Sequence, residues 1–300
     1  MATKNGITGN IHSAHHHDSA AKHVSGQAVY VDDINMPAHG LVVLIGQSPH
    51  AHALIRGMDL TAVEAAPGIV CVMTAEDVPG VNDCGPVVHD DPIFAVEKVS
   101  FVGQSVFAIV AENMAAARAA LPLAYVDYDL LPAILTIDAA MEVSSLLGPP
   151  TQMIKGEPDK HLASAPRQLS GRLYCGGQEH FYLEGQAALA IPGEDGDMQL
   201  YASTQHPSEI QHKVAEMLGV SSHAVTVETR RMGGAFGGKE SQGNLPALTA
   251  ALAAHLTGRP AKTVYDRDDD FMLTGKRHDF RIDYEVGFDD DGRIKAVFFD

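Results

Sequence analysis

Cysteine is scarce in this chain of 300 residues: only Cys71, Cys84 and Cys175 are present. They form no C-x-x-C pair, and any disulfide scheme leaves one thiol over. An iron–sulfur cluster generally takes four thiolates, so none is expected to be held by these residues. Basic side chains are in the minority, 21 against 38 acidic ones, for a formal net charge of −17. No basic block is present either, which argues against nucleic acid or an anionic membrane as partner. No apolar run approaches the roughly 20 residues that span a bilayer. The opening stretch MATKNGITGNIHSAHHHDSAAKH has neither the apolar core nor the cleavage site of a signal peptide. The expected location is the cytoplasm.

What is present is a globular composition, with 45% hydrophobic and 20% charged residues. The length predicts two domains. Residues 1–22 read as a flexible arm. The His15–His17 run invites a metal reading that no carboxylate or cysteine framework supports. From Ala28 the pattern alternates. Leu41–Ile45, Ile69–Met73, Val106–Ala111 and Leu123–Tyr128 read as strands. Leu60–Ala66 and Met114–Leu121 read as helices. Residues 139–168, rich in proline, glycine, serine and charge, read as a linker. A second domain follows from 169. It has strands at Gly185–Ile191, Met198–Ala202 and Ala224–Thr229, an amphipathic helix at Ser208–Leu218 capped by Gly219, and a buried helix at Leu245–Leu256. Tyr284–Phe288 and Ile294–Phe299 flank the turn DDDGR and predict a hairpin. With an uncovered strand at Asp300, the expectation is a fragment of a longer polypeptide. Strands alternating with short helices predict a compact α/β or α+β fold, and α+β is the class expected here.

Chemistry concentrates in RRMGGAFGGKES, residues 230–241, with four glycines in six positions. A phosphate-binding P-loop needs Ser or Thr after Lys239, but Glu240 stands there and would repel phosphates. The spacing G-x-G-x-x-G cannot be laid on GGAFGG. Two readings remain. The glycines can serve a tight strand-to-helix connection. Alternatively, they let backbone N–H groups approach a bulky, electron-rich ligand, helped by the positive end of the following helix. In YASTQHPSEI, Gln205 lies at a second strand-to-helix turn. Its amide can donate to an oxo or sulfido group, or simply serve the turn.

Four stretches together resemble the molybdenum-binding subunits of the xanthine dehydrogenase family, within the molybdenum hydroxylases. They are CGGQEHFYLEGQAALAIP (175–192), STQHPSEIQHKVAEMLGV (203–220), RRMGGAFGGKES (230–241) and TGRPAKTVYDRDDDFMLTGKRH (257–278). KHVSGQAVYVDDI (22–34) and FVGQSVFAIVAE (101–112) resemble the α/β hammerhead domain that precedes the cofactor domain in that family. The resemblance implies a hammerhead domain over 23–138 and the start of a molybdopterin-binding domain over 169–300. It also implies that Gln205 hydrogen-bonds the apical oxo group on molybdenum. The backbone of Phe236 and Gly237 would sit beside the metal, and Glu240 would bind the purine substrate. GGQEHF (176–181) would lie near the pterin. The pterin would ligate molybdenum, in its sulfido form, which fits the lack of a His/Cys/Asp ligand cluster in the chain. The implied reaction is hydroxylation of hypoxanthine and xanthine to uric acid with water as oxygen source. No catalytic base is expected within the chain. The base would lie beyond Asp300, so these residues alone would be inactive. FAD, 2Fe-2S clusters and NAD would enter through a small partner subunit, in a dimer of heterodimers. The alternatives are another molybdenum hydroxylase, acting on aldehydes or N-heterocycles, and a non-catalytic scaffold of the same fold. In the family an aldehyde pocket usually has no charge at the Glu240 position.

Overall fold

The computed structural model describes residues 14–300. The elements in chain order are α1 (Ala20–Ser25), β1 (Leu41–Gln47), β2 (Ala53–Asp59), α2 (Thr61–Glu64), β3 (Ile69–Met73), β4 (Lys98–Val99), β5 (Ser105–Ala111), α3 (Met114–Ala120) and β6 (Tyr125–Leu130). They continue with α4 (Ile137–Glu142), α5 (Pro158–Ser164), β7 (Arg167–Cys175), β8 (Ala187–Pro192), β9 (Met198–Ala202), α6 (Pro207–Leu218) and β10 (Val225–Glu228). The last are α7 (Asn244–Thr257), β11 (Ala261–Val264), α8 (Arg267–Leu273), β12 (Phe280–Phe288) and β13 (Ile294–Phe299).

The central sheet has seven strands in the order β10-β9-β8-β11-β1-β5-β3. It draws on both halves of the chain: β1, β3 and β5 precede the linker, and the other four follow it. The junction is a parallel pair in which Leu41 meets Ala261 and Val43 meets Thr263. One core runs across that junction. Leu41, Val43, Met73 and Phe94 pack in the same cluster as Leu200, Ile210, Met217, Leu248 and Leu252. Each half would otherwise present an open apolar edge, so pairing them removes both edges at once. Helix α7 is buried on nearly every side, from Pro246 to Ala254, as its unbroken apolar sequence demands. In α6, Ile210, Val214, Met217 and Leu218 are buried, and Gly219 closes the helix in the left-handed conformation at φ 67°.

Smaller sheets flank this body. β4-β2-β6 packs in the first half, and β13-β12-β7 carries the hairpin expected around DDDGR. Four strands escaped the sequence reading: β2, β4, β7 and β11. β7 has only one residue that is even half-buried, Cys175, so it has no buried face to impose the alternation that marks a strand. The strand expected at Leu123–Tyr128 lies at Tyr125–Leu130, because Leu121–Leu123 forms a 3-10 turn instead. Of the expected arm, residues 1–13 lie outside the described residues. Ser19 is buried, and Asp18 pairs with Arg230 at 3.0 Å. The expected linker contains α5 and most of α4. No group of three His, Cys, Asp or Glu among the described residues could hold a metal ion.

Candidate functional site

The glycine stretch leaves β10 and reaches α7 through a compact loop. Phe236 takes φ 57°, and Gly234 and Gly237 take 96° and 91°. That left-handed conformation suits glycine and strains an aromatic residue. Phe236 nevertheless stands 75% exposed, so its strain is not offset by burying the ring. Glycine at 238 answers a different need. A Cβ there would lie 2.7 Å from the His180 ring and 2.7 Å from the Tyr182 ring. Gly238→Ala is therefore expected to destabilise the protein by about 1–3 kcal/mol, as overpacking does, which a urea titration of the full-length protein would read. Beside Gly237, by contrast, nothing lies within 4 Å of where a side chain would project.

Gln205 lies at the end of β9 and is fixed to this loop. Its side-chain oxygen accepts from the backbone N–H of Gly237 at 3.0 Å and of Lys239 at 3.3 Å. Its own backbone N–H donates to the Lys239 carbonyl at 2.8 Å. Thr204 donates its hydroxyl to that same carbonyl at 3.1 Å and accepts from His206 N–H at 3.0 Å, which opens α6. With its oxygen held twice, the Gln205 amide keeps two N–H donors that find no acceptor among the described residues.

The loop amides divide into two groups. Gly233 donates to Glu184 Oε2 at 2.8 Å, Gly238 to the Ala235 carbonyl at 2.8 Å, and Glu240 to the Gly237 carbonyl at 3.5 Å. The amides of Gly234, Ala235 and Phe236 have no acceptor among the described residues. Only the N-terminal side is open, because Gln205 and the turn itself consume the others. α7 begins only at Asn244, whose side chain is fully buried and donates to the Cys84 carbonyl at 3.1 Å and to Glu209 at 2.9 Å.

Beneath the loop lies a buried polar network that sequence reasoning did not find. Lys239 is wholly buried. Its ammonium donates to Ser203 Oγ at 2.8 Å and to Glu184 Oε2 at 3.0 Å, and lies 4.6 Å from the Tyr182 ring centroid. Ser203 Oγ donates to the same Glu184 oxygen at 2.7 Å. Gln186 donates to Tyr182 Oη and to the Gly238 carbonyl, and Tyr182 donates to Asp270 Oδ1 at 2.9 Å. Burial pulls the Lys239 amine below its usual range despite the Glu184 carboxylate, and pushes the Asp270 carboxyl up. The signal for Lys239 was a lone cation inside a glycine run, where little side-chain mass is available to cover it except from below.

The chain matches the model of the molybdopterin cofactor-binding domain over residues 145–300. It also matches that of the aldehyde oxidase and xanthine dehydrogenase a/b hammerhead domain over 25–132. The chain belongs to the molybdenum hydroxylase family. It is 42% identical to a xanthine dehydrogenase/oxidase of Mus musculus over 282 residues, 94% of this chain and 21% of that protein. It is 41% identical to aldehyde oxidase 2 of Cavia porcellus over 283 residues, again 94% of this chain and 21% of that protein. Among solved structures, quinoline 2-oxidoreductase of Pseudomonas putida 86 superposes with a TM-score of 0.82 at 27% identity, covering 94% of this chain and 38% of that one. The chain therefore spans about a fifth of the length of the curated relatives it matches.

For a molybdenum hydroxylase, the site residues read from sequence fall into two groups. Gln205, Phe236 and Gly237 are brought together by direct hydrogen bonding around one loop. Glu240 follows on the same loop, exposed to solvent. The nearby cavity of about 510 Å³ is lined by Ser241 and Gln242, not by Glu240. The residues present fit a molybdopterin. Unpartnered amides at 234–236, an amide side chain with free donors and open space over Gly237 suit an anionic group that brings its own metal ligands.

Proposed function

We propose that the full-length protein hydroxylates hypoxanthine and xanthine to uric acid, taking the new oxygen from water. The observation that carries this reading is the double hold on the Gln205 oxygen, which leaves its N–H donors without an acceptor among the described residues, on the turn that packs against the Glu240 loop. When bound, the molybdopterin centre in its sulfido form would supply the redox chemistry of the hydroxylation. Gln205 would hydrogen-bond the apical oxo group, while the backbone at Phe236 and Gly237 would cradle the cofactor. Glu240 would grip the ring N–H groups and carbonyls of the purine. The remaining walls of the substrate pocket and the general base would come from polypeptide outside these residues. Electrons would leave through a small subunit carrying 2Fe-2S clusters and FAD, then reach NAD. The three thiols here are all free and too few for a cluster. We place the assembly, a dimer of heterodimers, in the cytoplasm. No helix among the described residues is long and apolar enough to cross a membrane.

A second reading, oxidation of aldehydes or N-heterocycles, is favoured by the near-equal identity to aldehyde oxidase 2. One substitution separates the two. In the full-length complex, Glu240→Ala is expected to lower kcat/KM for xanthine by about 2–4 kcal/mol, the scale of one positioned polar contact, and to leave aldehyde turnover unchanged. Steady-state kinetics with both substrates checks this. Undiminished xanthine turnover refutes the purine assignment.

A further inference from the structure

One carboxylate oxygen holds both ends of the glycine loop. Glu184 Oε2 accepts from the backbone N–H of Gly233, where the loop begins, and from the ammonium of Lys239, where it ends. Lys239 in turn touches three consecutive residues of the neighbouring turn. Its ammonium reaches Ser203 Oγ, its carbonyl accepts from Thr204 Oγ1 and from Gln205 N–H, and its own N–H donates to Gln205 Oε1. The loop and the turn could hardly shift against each other without breaking this set. A buried ammonium is costly to desolvate, and packing alone would be served by an apolar side chain. The registry between the two turns is what an apolar residue could not supply, since it has no donor for either Ser203 or Glu184.

We propose that Lys239 is a positioning residue whose clamp by Glu184 and Ser203 sets the aim of the Gln205 amide. The inference rests on the assignment of Gln205 to the cofactor, but the clamp is testable without it. The other groups facing the ammonium are the Tyr182 ring and, farther off, Asp270 and Arg267. None of these bonds to the loop backbone, so the aim is carried by Glu184 and Ser203.

The test is hydrogen exchange on the full-length complex, comparing wild type with Glu184→Gln, which keeps the side-chain shape and an acceptor for Gly233 while removing the charge facing Lys239. The amides of Gly237 and Lys239, both donated to Gln205, are expected to exchange about tenfold faster, as local opening becomes easier. Those of α6 and α7, which open with the whole fold, are expected to change only as far as the variant's urea stability falls. With xanthine, kcat is expected to fall while KM holds. Glu184→Asp, which restores the charge on a shorter arm, is expected to recover part of the protection. Unchanged exchange at 237 and 239 overturns the proposal. So does acceleration at 237 and 239 that merely follows the loss of urea stability, as in α6 and α7, which would mean the pair serves only global stability. Gln205→Ala in the same preparation keeps the two ideas apart. If molybdenum content and turnover survive it while the exchange result stands, the cofactor assignment fails and the clamp does not.

Discussion

Replacing Lys239 by methionine is expected to destabilise the full-length protein by about 3–5 kcal/mol, the usual consequence of stranding one member of a buried ion pair. The ammonium is wholly buried and 3.0 Å from Glu184. Once it is gone, that carboxylate keeps Gly233 N–H and Ser203 Oγ as donors, which places the loss toward the lower end of the range. The pair itself is no strong net stabiliser. Burial outweighs the pull of Glu184 and depresses the Lys239 amine, so the unfolded chain holds this proton more tightly than the folded one. The double change Lys239→Met, Glu184→Gln should therefore recover most of the loss, because no uncompensated charge remains. Urea midpoints of the two variants check this. A double variant no more stable than Lys239→Met would mean that the pair is not the cause.

Asp83→Ala is expected to have an effect of similar size, about 3–5 kcal/mol, from a different staple. Asp83 sits in the first half of the chain, and its Oδ2 accepts from Lys213 of α6 at 2.7 Å and lies 2.8 Å from His89 Nδ1. Its Oδ1 accepts from Gly85 N–H at 3.1 Å. The Asp83 and Lys213 side chains are only 8% and 6% exposed. Removing the carboxylate leaves the ammonium with Glu216, which is 41% exposed and so a weaker partner. Burial pushes the Asp83 carboxyl up, but Lys213 and His89 pull it down further, so that it titrates below the usual carboxylate range. The sign follows. A carboxyl depressed in the folded state contributes stability above its unfolded pKa, about 3.9, and loses it as pH falls through the folded value. Wild type should lose stability on acidification below about pH 4, and Asp83→Ala should show a flatter dependence there. Thermal melts between pH 2 and 6 would show it, and equal slopes would remove Asp83 from the account.

Elements were legible where side-chain periodicity was strong. Ile69–Met73 and Met198–Ala202 fall at the expected residues, and α6 and α7 were marked by an apolar stripe and an apolar run. β7 was not legible, because nearly all of it is exposed and a strand without a buried face carries no alternation. β11 was hidden for the opposite reason: Ala261–Val264 is four residues long and leans on partners distant in sequence. Within the candidate site, the glycine run and its neighbouring carboxylate were visible by residue type, while the roles expected of Gln205, Phe236, Gly237 and Glu240 came from the family resemblance. The direction of the loop amides did not, since that depends on Gln205 claiming two of them. Glu184 stood beside a recognisable motif, but its grip on both loop ends is a matter of three-dimensional distance that no local pattern encodes.

The pairing of Leu41 with Ala261 has a consequence for biosynthesis. β1 leaves the ribosome long before β11 exists, so one flank of the nascent sheet waits unsatisfied while everything between them is made. Folding that depends on so remote a contact is slow, and the waiting apolar flank is where a chaperone would bind or where neighbouring nascent chains would stick together.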